Sequence, residues 1–117
     1  MKDIEELEAA VKALSSKKAE KITALKIKDI TSLANYFVIA SGTSSTQVKA
    51  LADEVEYQLG QKGVKPHGID GSPNSNWIAL DYIDVVVHIF HEEAREFYQL
   101  EHLWADGEPV DISEWDK

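Results

Sequence analysis

The sequence predicts an α/β domain of the α+β type, with a mixed five-stranded sheet flanked by helices. Three observations carry this reading. Short β-prone apolar runs recur near 22–28, 35–42, 64–69, 77–81 and 84–90. Apolar residues fall at helical three- and four-residue steps in three other segments. The resulting order, α β β α β β β α, mixes the two kinds of element without strict alternation, as a mixed sheet with covering helices requires.

The first helix is expected over roughly 3–15. Ile4, Leu7, Val11 and Leu14 form a narrow apolar stripe there, with Asp3 as the expected N-cap and Glu6 three residues on. The run Asn35 to Gly42, NYFVIASG, is almost entirely apolar, so it is expected at the centre of the sheet with both faces covered. After GTSST comes a second helix carrying Val48, Leu51, Ala52, Val55 and Leu59 on one face. Ser44 or Ser45 suits its N-cap and Gly63 its C′ position. Val64 to Ile69 reads as a third strand and GIDGSPNSN as a turn-rich loop. Strands at 77–81 and 84–90, separated by a tight turn near Tyr82 and Ile83, predict an antiparallel hairpin. A last helix is expected from Glu92 to Trp104, followed by an acidic tail.

A chain of 117 residues is one domain of ordinary size and can bury a core without disulfides or metal. It has no cysteine, which excludes thiol catalysis and favours a reducing compartment. The first residues, MKDIEELEAA, lack the basic flank and apolar run of a signal peptide. No apolar run approaches the ~20 residues that span a bilayer. A soluble cytoplasmic protein is expected. The net charge of −9 opposes direct binding of nucleic acid, whose phosphates are held mainly by Lys and Arg. It favours a basic protein surface as partner.

Catalytic motifs are weak. The strand–GTSS–helix junction offers free amides to an anion, but it lacks the glycines and Gly-Lys pair of a P-loop, and capping explains its hydroxyls. Asp81 and Asp84 suggest metal-dependent nucleotidyl transfer, the alternative reading. Side chains on a strand share a face at spacing two, not three, and these two flank the expected turn, where Asp is favoured, whereas two-metal chemistry needs converging carboxylates. His88 reads as a hydrogen-bonded, partly buried residue. No cofactor or metal site is expected, and the chain reads as a non-enzyme.

The final segment carries more than a core needs. In the expected last helix Phe97, Leu100 and Trp104 form the core face, while His91, Arg95, Tyr98 and His102 form a second stripe at steps of four, three and four. The hairpin adds Trp77 and Tyr82. Such aromatic and Arg residues are favoured interface anchors.

The blocks YFVIASGTSSTQVKALADEVE and WIALDYIDVVVHIFHEEAREFYQLEHLW resemble the ribosomal silencing factor family, also called Iojap-like proteins, and the match runs over about residues 4–106. The resemblance implies a nucleotidyltransferase-like fold without that activity. It implies a single family domain over 1–106 and an unmatched acidic tail over 107–117. It also implies a translational repressor that binds the large ribosomal subunit through its fourteenth ribosomal protein and blocks joining with the small subunit. A homodimer is implied for the free protein. Carried over by position, the partner-binding residues are Trp77, Leu80, Asp81, Tyr82, His91, Arg95 and Tyr98.

Overall fold

The computed structural model describes residues 2–28, 34–71, 76–93 and 107–116. Among these, two helices and six strands follow in the order α1 (Asp3–Ser16), β1 (Glu20–Lys26), β2 (Tyr36–Gly42), α2 (Ser45–Gln61), β3 (Gly68–Gly71), β4 (Trp77–Asp81), β5 (Val85–His91) and β6 (Glu108–Pro109). They build one mixed sheet in the order β3-β4-β5-β2-β1-β6. Only β2 and β5 run parallel, and α2 lies on the crossover between them.

The apolar run of β2 is central, as expected. Val38 and Ala40 face α1 and α2, in a cluster with Leu7, Val11, Leu14, Val48, Leu51, Val55, Leu80, Val87 and Ile89. Phe37 and Ile39 point to the opposite side, where Leu25, Ile27 and Phe90 bury a second, smaller cluster. Burial on both sides is why this strand carries no polar alternation.

Helix α1 differs from expectation at its start. Asp3 lies inside the helix, and the N-cap is Lys2, which makes no side-chain cap. Asp3 instead accepts from the Ile4 amide and from Asn35 Nδ2. Small side chains widen the buried face beyond the expected stripe, since Ala9, Ala10 and Ala13 are buried and Ile4 is exposed. Helix α2 begins as expected. Ser44 caps it by accepting from the Gln47 amide at 3.1 Å, and Gln47 Oε1 returns to accept from the Thr43 amide and hydroxyl. This is a close relative of the reciprocal capping box. At the other end Gly63 takes φ 79°, and the Val64 amide reaches back to the Leu59 carbonyl.

That helix stop displaces the next strand. Residues 64–67 lead out of the C-cap, Val64 packs on the core, and β3 forms from GIDG, within the segment expected as loop. Gly71 allows the pairing, because a Cβ there would lie 2.7 Å from the Trp77 carbonyl oxygen. The sixth strand, absent from the expected five, pairs antiparallel with β1, and the Val110 amide donates to the Ala24 carbonyl. Val110, Ile112 and Trp115 pack against the main cluster, so this acidic stretch is seated on the domain. The expected last helix lies outside the described residues apart from Glu92 and Glu93, which are helical.

Candidate partner-binding surface

The hairpin β4–β5 positions the residues picked out in the sequence. Its register pairs Trp77 with Phe90, Ala79 with His88 and Asp81 with Val86. Trp77, Ala79 and Asp81 therefore share one face, and Ile78 and Leu80 share the other. Trp77 and Asp81 sit at opposite ends of β4, about 13 Å apart along the strand.

At the open end, Trp77 is half-buried and lies over β5. Its ring is near-parallel to those of His88 and Phe90, with centroid distances of 6.3 and 6.2 Å. Its indole Nε1–H donates to His88 Nδ1 at 3.3 Å. Phe37 meets His88 edge-on at 5.2 Å. This apolar setting pushes His88 down to about 4, so its imidazole is neutral and able to accept. His91 occupies the same end. Its amide donates to the Asn76 carbonyl, it pairs with Gly42 across the parallel ladder, and its Nδ1 accepts from the Glu93 amide. His91 thus ends β5 beside the C-terminal end of β2, on the sheet face opposite Trp77.

At the turn end, Asp81 Oδ1 accepts from the Ile83 amide at 2.8 Å. The carboxylate closes the turn, as Asp commonly does. Among the described residues, no group of three His, Asp or Glu is placed to hold a metal ion.

Two of the expected contact residues are internal. Leu80 is 0% exposed and Tyr82 5% exposed, both within the cluster under α1 and α2. Tyr82 lies two residues past Leu80 and continues its inward face. Burial, then the nearby Glu56 and Glu6 carboxylates, pushes its phenol up to about 12. Glu6 is itself buried, and its carboxyl is raised by that burial and then by Asp84 and Asp3. Arg95 and Tyr98 lie outside the described residues. Of the seven expected positions, Trp77 and His91 lie at one end, on opposite faces of the sheet, and Asp81 lies at the other. His88, which seats Trp77, was not among them. Counting the hairpin register back from the turn would have placed it diagonal to Trp77.

The whole chain, residues 1–117, matches the family described as ribosomal silencing factor during starvation. The chain belongs to the ribosomal silencing factor family. A silencing factor of Halalkalibacterium halodurans is 38% identical over 112 residues, covering 96% of each chain. The chloroplastic Iojap protein of Zea mays is 35% identical over 102 residues, 86% of this chain and 44% of its own length. A crystal structure of a Chromobacterium violaceum protein superposes with a TM-score of 0.86 at 36% identity, covering 90% of this chain and 88% of that one. Ribosomal silencing factors are translation regulators by name, and none of these relatives is named as an enzyme. No helix among the described residues is long and apolar enough to cross a membrane.

Proposed function

We propose that this chain represses translation by binding the large ribosomal subunit through its fourteenth ribosomal protein, so that the small subunit cannot join. Family membership supports the ribosome as target. The observation that carries the surface is half-exposed Trp77 at the open end of the β4–β5 hairpin, with His91 at the same end on the other face of the sheet. Trp77 is a preorganised anchor, since its ring is already fixed on His88 and Phe90. Asp81, Arg95 and Tyr98 complete the proposed contact set, while Leu80 and Tyr82 hold the hairpin from inside. A net charge of −9 favours a basic protein over ribosomal RNA. Repression by occupancy requires no chemistry and no cofactor, only binding strong enough to compete with subunit joining. The cytoplasm is the proposed compartment and a homodimer the proposed free form, which sedimentation across concentration checks.

Light scattering of mixed large and small subunits tests the reading. Saturating protein should reduce joining, and unchanged joining would overturn it. Trp77→Ala should weaken large-subunit binding by about 2 kcal/mol if the indole is a hot spot.

A further inference from the structure

The hairpin turn carries an isoleucine where its backbone favours glycine. Ile83 has φ 73°, a value that β-branched residues rarely adopt. The Asp84 amide donates to the Tyr82 carbonyl at 2.9 Å, which makes Ile83 the centre of a γ-turn of the rare, strained hand. The conformation is held on every side. Asp81 Oδ1 takes the Ile83 amide, the Tyr82 amide donates to the Val85 carbonyl, and the Asp84 carbonyl accepts from both Asn35 and Tyr36 amides. Residues kept in such regions are strained and persist where the surroundings over-determine them.

Packing leaves most of this side chain open. Ile83 is 59% exposed, among the largest exposures of any big apolar side chain described. Its surroundings have a definite chemistry. Asp81 and Asp84 flank it, and Asn35 joins the turn to the start of α1 by donating to Asp3 Oδ2 at 2.9 Å. That tie brings Asp3 and the exposed Ile4 to the same end of the domain. None of the ion pairs among the described residues involves Asp3, Asp81 or Asp84. The tip is therefore an apolar knob in an acidic rim.

We infer that Ile83 is an apolar anchor for a basic protein surface, entering a socket bordered by Lys or Arg side chains that meet Asp81 and Asp84. The acidic rim disfavours both an RNA phosphate backbone and an anionic lipid surface, leaving a basic protein as the occupant. The inference rests on the proposed ribosomal function and extends its surface from the Trp77 end to the turn.

Three variants separate this role from a structural one: Ile83→Gly and Ile83→Asn, which suit the left-handed turn, and Ile83→Leu, which keeps the apolar tip. Each is melted and then co-sedimented with purified large ribosomal subunits at two salt concentrations. The glycine and asparagine variants should melt no lower than wild type yet lose at least about tenfold in subunit affinity, while the leucine variant keeps most of it. Wild-type binding by Ile83→Gly and Ile83→Asn would overturn the anchor and leave the ribosomal reading standing. Failure of the wild-type protein to sediment with large subunits would overturn both.

Discussion

Trp77 and His88 are locked as a donor–acceptor pair: the indole Nε1–H points at His88 Nδ1 at 3.3 Å, with the two rings 11° from parallel. The pair requires a neutral imidazole. His88 is pushed down from its ordinary 6.5 to about 4, so the folded state resists a proton that the unfolded chain accepts. Its contribution to stability is complete above about 6.5 and is lost as pH falls towards 4, by roughly 3 kcal/mol in all. Urea midpoints taken between pH 7 and 4 should fall in wild type and fall less in His88→Gln. Equal pH dependence in the two proteins would contradict the assignment.

The buried hydroxyl of Tyr82 has no hydrogen-bond partner among the described residues. Removing such a group avoids its desolvation cost, which runs at about 1–3 kcal/mol. Tyr82→Phe should therefore melt at or above the wild-type temperature. A clear loss of stability would mean that the hydroxyl is satisfied after all.

Glu6 makes the opposite demand on pH. Its raised carboxyl means that the folded state prefers the protonated form, so a penalty develops as pH rises through the shifted value. Glu6→Gln should be at least as stable as wild type at pH 7, and the advantage should shrink towards pH 4. Chemical denaturation at the two pH values reads the difference directly.

Ser44 holds the start of α2, and through it the end of β2 that borders His91. Ser44→Ala removes the acceptor of the Gln47 amide and should cost about 1 kcal/mol. For a domain of this size that is a fall of several degrees in melting temperature. Gly71→Ala tests the far edge of the sheet. The added Cβ must displace the Trp77 backbone, so the variant should loosen β3 and raise amide exchange along β4.

The hairpin, both helices and the central strand were legible because each carries a periodic or continuous apolar signal of its own. The open-end pairing of Trp77 with Phe90 follows from counting register away from the turn. What stayed hidden depends on neighbours. Strand β3 is GIDG, with two glycines and no β-prone pattern, and it exists because β4 offers a backbone to pair with. Strand β6 is only Glu108–Pro109, fixed by β1 and by the apolar residues that follow it. The burial of Glu6 depends on how α1 packs on α2 and the sheet, which no local spacing encodes. The expected N-cap at Asp3 failed for a related reason, since Asn35 draws that carboxylate across to the sheet.

The parallel seam at the middle of the sheet has a kinetic consequence. Tyr36 pairs with Val85 and Gly42 with His91, so the two most buried strands meet only after a long stretch of chain has been looped. The β1–β2 and β4–β5 hairpins close locally, but their union must wait for that loop entropy to be overcome. Until then YFVIAS and VVVHIF present unpaired edges with high β-propensity, the kind of segment that seeds aggregation. Docking of the two hairpins along β2 and β5, with α2 laid across them, is thus the slow step that decides between the native sheet and association with another chain.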